Sequence, residues 1–232
     1  MRGIFNKLAV SIAFAFSLSN QAVAANTTVE LQTIDQGFYS GITASHNPLN
    51  PSIGIDQVSG SADRNFFVFD FTGLDMSALV SIQLFANNVW NSSPENNIEY
   101  SLFDVSASIA DLRNGGSGQY SIYNDLGSGV EYASLQISNP GRYDSFAIQF
   151  NQAGIDAAKS TNGFFAIGGA LTSSTSGVTW MWADNQNANA PLSYGLRLSF
   201  SENISPVPEA DSYAMFLAGL GLMGLMSRRR TK

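Results

Sequence analysis

The chain has 232 residues, with 18 acidic and 11 basic side chains, one histidine and no cysteine. The lack of cysteine excludes disulfides and cysteine-ligated zinc sites, and one histidine excludes zinc sites built on two or more histidines. Residues 25–207 hold 16 acidic and five basic side chains, a net charge of −11, which repels phosphate and excludes nucleic acid as a partner.

The N-terminus has the three parts of a secretory signal peptide. Arg2 and Lys7 precede an apolar run over Leu8–Leu18, and an Ala-x-Ala sequence ends at Ala24. We predict that residues 1–24 are a signal peptide cleaved after Ala24, with cleavage after Ala25 as the alternative. A buried N-terminal helix is the structural alternative. Cleavage implies that signal peptidase and the export machinery are partners, so the body leaves the cytoplasm.

Residues 25–200 are predicted to form an all-β domain, an antiparallel β-sandwich or jelly roll. In residues 64–71 both alternating sets of side chains are apolar, which predicts a central strand covered on both faces. Further strands are expected at 80–84, 98–102, 146–150, 163–170, 178–183 and 194–200. Only two short helices are indicated, near 106–112 and 152–159. Many short strands separated by turn-forming residues favour a sandwich. Residues 201–206 are predicted to be a linker.

Catalysis would have to use either the single histidine or a pair of carboxylates. His46 lies in a loop rich in Pro and Asn without a nucleophile motif, so we interpret it as a surface residue. A carboxylate pair could hydrolyse glycosides, and the candidate acids are Asp70, Asp75, Glu95, Glu99 and Asp104. For Asp70 and Asp104, which lie among strand aromatics, we expect burial and hydrogen bonds to Arg64 or Arg113. No catalytic residue is predicted.

Two binding sites can be considered. Trp90 follows a predicted strand and precedes a polar loop, so it is the candidate aromatic platform for a sugar ring, with core packing as the alternative. No metal site or cofactor is predicted. Ca²⁺ is the cation most compatible with the composition, because hard cations take oxygen ligands. The oxygen-rich clusters are Asp56 with Asp63, and Asp184 with Asn185, Asn187 and Asn189.

The C-terminus combines an uncharged apolar stretch with a basic cluster. A helix over Tyr213–Met226 would rise about 21 Å, against a hydrocarbon core of about 30 Å. Arg228, Arg229 and Arg230 favour a cytoplasmic C-terminal end. We therefore predict transient anchoring in the inner membrane, with a short permanent anchor as the alternative.

Val207-Pro208-Glu209, followed by the apolar stretch and the arginines, resembles the PEP-CTERM sorting signal of Gram-negative bacteria that make exopolysaccharide. The resemblance covers residues 207–232, and Ala210 stands where the family's motif has proline. It implies recognition by exosortase, a membrane protease that cuts near the motif and passes the protein to the outer envelope or extracellular matrix.

A second resemblance covers most of the body. The segments RNFFVFDFTGL, LVSIQLFANN, YSLFDVSASIADL, IYNDLGSGVEYASLQIS and FFAIGGAL are similar to a β-sandwich domain of secreted PEP-CTERM proteins. That domain is itself similar to carbohydrate-binding jelly rolls. The expected function is therefore a non-catalytic envelope or biofilm-matrix protein that is structural or associates with exopolysaccharide. The alternatives are a polysaccharide-active enzyme with a carboxylate pair in the sandwich groove, and an adhesin-like protein contact.

Overall fold

The computed structural model describes residues 26–41, 46–48, 53–56, 61–138, 144–173, 179–183 and 193–201. All of them lie within one compact unit that spans residues 25–203. The predicted signal peptide and sorting segment, residues 1–24 and 207–232, lie outside the described residues.

The described residues form thirteen β-strands. They are β1 (Asn26–Gln32), β2 (Asp35–Tyr39), β3 (His46–Pro48), β4 (Ile53–Asp56), β5 (Ser61–Ala62), β6 (Arg64–Asp70), β7 (Leu79–Ser92), β8 (Asn97–Phe103), β9 (Glu131–Ser138), β10 (Asp144–Gln149), β11 (Phe164–Leu171), β12 (Thr179–Ala183) and β13 (Ser193–Ser201). Each strand predicted from the sequence is present, and every described pairing between strands is antiparallel.

The described helices are short. They are a 3-10 helix (Met76–Ala78), α1 (Ile109–Asn114), α2 (Tyr120–Asp125) and α3 (Gln152–Ser160). The predicted helices at 106–112 and 152–159 correspond to α1 and α3, and α1 begins later because Ser108 is its N-cap. Helix α2, which has no side-chain cap, was not predicted from the sequence. No helix within the described ranges is long and apolar enough to cross a membrane.

The strands build two sheets. One has the order β3-β2-β6-β11-β8-β9, and the other has the order β1-β13-β7-β12-β4-β5 with β10 also paired to β7. The first and last strands of the body are neighbours, since β1 pairs with β13 from Asn26 opposite Ser201 to Gln32 opposite Gly195. The two ends of the described body therefore meet at one corner of the second sheet.

The main core lies between the two sheets, and a smaller core lies outside the first. On β6, Phe67 and Phe69 belong to the main core, while Phe66 and Val68 belong to the smaller one. The smaller core also contains Leu112, Ile122 and Leu126, from α1, α2 and the residue after α2. The prediction of a central strand covered on both faces is therefore confirmed. The antiparallel sandwich carries an outer layer made of α1 and α2.

One side chain departs from the predicted alternation. In the sequence, Val80, Ile82 and Leu84 alternate with Ser81 and Gln83, which predicts that the three apolar side chains share one buried face. Val80 is instead 44% exposed, while Ile82 and Leu84 are fully buried. Opposite β13 the register advances from Leu79 to Ser81 across a single step of the partner strand, so Val80 is an extra residue in a bulge. The expected burial of Val80 is wrong because a bulge turns its side chain outward.

Candidate functional site

An open groove lies between α1 and α2 on the outer layer. Its volume is about 660 Å³, within the usual range for ligand sites. It is lined by Ser106, Ala107, Asp111, Asn114, Gly115, Gln119, Ser121, Ile122, Asn124, Asp125 and Ser128. We call it the α1–α2 groove.

A single arginine of β6 anchors α2 against the sheet. The Arg64 guanidinium donates to the carbonyl oxygens of Tyr123 and Asn124, at 2.8 and 2.9 Å. It also lies 4.3 Å from the centre of the Tyr123 ring, in a cation–π contact. The Tyr123 hydroxyl in turn donates to the carbonyl oxygen of Ala62, at 2.8 Å. These contacts fix one wall of the α1–α2 groove on β6.

The opposite wall is held by carboxylates and a buried tyrosine. Asp125 Oδ2 accepts the backbone N–H groups of Ser106 and Ala107 at 2.8 and 2.9 Å, and Oδ1 accepts the Ser106 hydroxyl. The fully buried Tyr39 donates its hydroxyl to the carbonyl oxygen of Leu112 at 2.9 Å. Arg113 forms an ion pair with Asp35 of β2. The walls are therefore preorganised by contacts internal to the fold.

The loop that joins α1 to α2 closes one end of the groove. Gly115, Gly116 and Gly118 have φ values of 59°, 118° and 78°. Residues with a Cβ rarely adopt such positive φ values. Gly115 lines the groove itself. The loop can therefore reverse the chain in a few residues, which places Asn114 and Gln119 on the same groove.

Several polar side chains of the groove are available to a ligand. The side chains of Asn114, Gln119 and Ser121 make no hydrogen bond to any described residue. Each amide supplies donors and acceptors together, and the hydroxyl supplies both. None of the described lining residues is Lys or Arg. This arrangement can hydrogen-bond a polar ligand rich in hydroxyl groups.

The carboxylates considered for glycoside hydrolysis lie outside the α1–α2 groove. Asp70 and Asp75 are exposed. Each accepts the backbone N–H two residues later, from Thr72 at 2.8 Å and from Ser77 at 3.0 Å. Hydrogen bonds from the side chains and then the backbones of Thr72 and Ser77 lower the pKa values of Asp70 and Asp75. The expected burial of Asp70 is wrong, because its side chain caps a surface turn.

Asp104 is half-buried, and its Oδ1 accepts the Val130 N–H at 2.7 Å. Arg64 instead donates to carbonyl oxygens of α2, and Arg113 pairs with Asp35. The predicted arginine partner of Asp70 and Asp104 is therefore wrong among the described contacts. Glu95 is half-buried and Glu99 is exposed.

The remaining predicted residues are only partly described. Trp90 lies in β7 opposite Ala183 of β12, but its side chain is outside the described part, so the aromatic platform stays a prediction. The side chains of His46 and Asp56 and residues 184–192 are likewise outside the described part. The interpretation of His46 as a loop residue is wrong, because it is the first residue of β3 and pairs with Tyr39. Asp63 accepts the Gly41 N–H at 3.2 Å, and burial raises its pKa. The described residues contain no group of three or more His, Cys, Asp or Glu placed to hold a metal.

Sequence reasoning did not identify the α1–α2 groove. Its lining residues all lie between Ser106 and Ser128. The position of α2, however, depends on Arg64 of β6, which is distant in the sequence. The available signal was the run Asn114-Gly115-Gly116-Ser117-Gly118-Gln119, whose glycines indicate a tight loop flanked by two amides.

Comparison with known families identifies the C-terminal segment. Residues 206–230 match the family model of the PEP-CTERM protein-sorting motif. The matched range contains Val207, Pro208 and Glu209 and the three arginines at 228–230. Among curated proteins, none matches the chain. The chain thus carries a PEP-CTERM motif behind a β-sandwich body, and it is an exported protein with a membrane-anchored sorting signal that targets it to exosortase.

Proposed function

We propose that the mature protein is a non-catalytic component of the outer envelope or extracellular matrix that binds exopolysaccharide in the α1–α2 groove. The observation that carries this proposal is the set of groove side chains, Asn114, Gln119 and Ser121, that have no described hydrogen-bond partner. Sugar hydroxyls both donate and accept, which matches amide and hydroxyl groups on rigid walls.

The charges of the body favour an uncharged polysaccharide. Carboxylate or sulfate groups on a glycan are bound best by arginine, through charge-assisted hydrogen bonds. The three described arginines already have internal partners: Arg64 with two carbonyl oxygens, Arg113 with Asp35, and Arg197 with Glu30 at 2.7 Å. With a net charge of −11 over residues 25–207, the body repels a polyanion. A neutral exopolysaccharide is therefore the proposed ligand.

Two of the five candidate acids, Asp70 and Asp75, are unsuited to glycoside hydrolysis. Glycoside hydrolysis needs one carboxyl group with a raised pKa that donates a proton to the leaving oxygen. Asp70 and Asp75 have pKa values shifted in the opposite direction, and both are exposed. Each carboxylate is therefore suited to capping a turn and is a poor proton donor.

The test is retention of the purified mature protein on exopolysaccharide prepared from the producing cells. A variant with Asn114→Ala and Gln119→Ala should bind several-fold more weakly, since each lost hydrogen bond is worth about 0.5–1.5 kcal/mol. The matched control is Asn97→Ala with Gln136→Ala, which removes two exposed amides from β8 and β9. The proposal is wrong if the wild type is not retained, or if the groove variant and the control are retained equally.

A further inference from the structure

A second cavity lies beside the α1–α2 groove, and Ala107 lines both. Its volume is about 390 Å³, also within the range of small-molecule sites. It is lined by Val105, Ala107, Ser108, Ile109, Tyr132, Ala157, Ser160, Thr161, Phe164, Phe165 and Ala166. We call it the Phe164 cavity.

Phe164 places an aromatic ring within reach of solvent at this cavity. It is the first residue of β11 and is 51% exposed, whereas its neighbour Phe165 is 4% exposed and stacks in the main core on Phe71, at 5.1 Å between ring centroids. Strand alternation explains the difference, because Phe165 faces the opposite sheet and Phe164 faces the outer layer. The outer layer leaves about half of the Phe164 side chain uncovered.

Tyr132 also lines the Phe164 cavity. It is only 6% exposed, and its ring lies between those of Phe150 and Phe165, at 6.0 and 6.1 Å between centroids. Its hydroxyl makes no hydrogen bond to any described residue. Buried polar groups are nearly always hydrogen-bonded, so an unsatisfied hydroxyl at a cavity indicates a partner outside the protein chain. Burial, with a smaller effect from the charge of Asp104, raises the pKa of Tyr132 to about 12, so the hydroxyl keeps its proton at neutral pH.

Ser160 and Thr161 also line the Phe164 cavity, and their hydroxyl oxygens can accept hydrogen bonds. Ser160 Oγ and Thr161 Oγ1 at the end of α3 both donate to the carbonyl oxygen of Ala157, at 2.8 and 2.9 Å. Since their protons are used in those bonds, the two oxygens are left to accept. The cavity therefore presents an apolar ring face, one donor and two acceptors.

We propose that the Phe164 cavity is a sugar-binding subsite that holds one pyranose ring of the exopolysaccharide. The apolar face of the ring packs on Phe164, one sugar hydroxyl accepts from the Tyr132 hydroxyl, and others donate to Ser160 and Thr161. The inference rests on the proposed function and extends it, because it adds a stacking subsite next to the α1–α2 groove.

The experiment measures binding of the mature protein to the same purified exopolysaccharide, with four new variants beside the Asn114/Gln119 variant. Phe164→Ala should weaken binding roughly fivefold to tenfold, while Phe164→Tyr keeps the ring and should lose less binding than Phe164→Ala. Tyr132→Phe removes only the hydroxyl and should weaken binding roughly threefold to tenfold. Val80→Ala is the control, since Val80 is 44% exposed on the other sheet. Wild-type protein should show a near-ultraviolet tyrosine difference spectrum on binding, which Tyr132→Phe should reduce.

The outcomes separate the subsite from the proposed function. If the wild type binds and the Asn114/Gln119 variant binds more weakly, but Phe164→Ala and Tyr132→Phe bind like the wild type, the subsite is refuted and the groove stands. If the wild type does not bind at all, the proposed function fails and the subsite fails with it. Because Tyr132→Phe keeps the stacked ring, unchanged thermal unfolding of this variant together with weaker binding would support the subsite even if Phe164→Ala were poorly folded.

Discussion

A buried hydrogen bond in the main core requires glycine at position 169. Tyr100 and Asn65 are both fully buried, and the Tyr100 hydroxyl donates to Asn65 Oδ1 at 2.8 Å. Gly169 of β11 lies directly against this pair, and a Cβ there would overlap both the Tyr100 hydroxyl and Asn65 Oδ1. The substitution Gly169→Ala must therefore displace one of the two side chains or separate β11 from its neighbours.

The expected loss of stability follows from two contributions. Leaving a buried donor or acceptor unsatisfied costs about 1–3 kcal/mol, and overpacking a core typically costs about 1–3 kcal/mol. Together they predict that Gly169→Ala lowers the free energy of unfolding by roughly 2–6 kcal/mol. For a domain of this size, about 1 kcal/mol corresponds to about 2–4 °C. The melting temperature should therefore fall by roughly 5–20 °C.

Thermal unfolding monitored by circular dichroism measures this effect, with Tyr100→Phe as the companion variant. Removing the hydroxyl relieves part of the overlap, so Gly169→Ala combined with Tyr100→Phe should lose less stability than the sum of the single variants. A melting temperature of Gly169→Ala within about 1 °C of the wild type would refute the packing described at this position. Strictly additive losses would refute the overlap with the Tyr100 hydroxyl.

Three further predictions concern processing, alkaline stability and the tryptophan. Replacing Pro208 and Glu209 with alanines should leave a longer, membrane-retained form, and an unchanged size and release on immunoblots of cell fractions would count against sorting through this motif. Because the pKa of Tyr132 is raised to about 12 from 10.0, the unfolded chain ionises first and stability should fall between about pH 10 and 12. Over that pH range the melting temperature should fall less for Tyr132→Phe than for the wild type. An equal fall in the two proteins would contradict the raised pKa of Tyr132. Trp90→Ala should weaken retention on exopolysaccharide if Trp90 is a platform, whereas equal retention in the pull-down would eliminate that role.

Most of the β-sandwich could be predicted because strand periodicity is a local signal. The doubly apolar pattern of residues 64–71 predicted a strand covered on both faces, and β6 is packed in this way. The alternation at Ile98, Tyr100 and Leu102 likewise matches three buried side chains on β8. At Val80 a bulge interrupts the pairing of β7 with β13, and the alternation fails there. The position of a bulge depends on how two strands pair, which the sequence of one strand does not show.

The candidate binding surfaces could not be predicted, because they depend on contacts between distant residues. Arg64 lies about sixty positions before the α2 residues that it anchors, and nothing local in the sequence marks that pairing. The six residues of α2 are too few for a strong helical pattern, and no side chain caps them. The exposure of Phe164 depends on how far the outer layer extends over β11. The residues around Phe164 in the sequence do not indicate that extent.

A C-terminal PEP-CTERM sorting signal is expected to be removed after export. Intact mass measurement of the native protein from each cell fraction tests whether it is. We expect a main species that starts after Ala24 or Ala25, lacks the arginines at 228–230 and is recovered outside the inner membrane. A native protein recovered only from the inner membrane, with Met226 and those arginines still attached, would contradict the account.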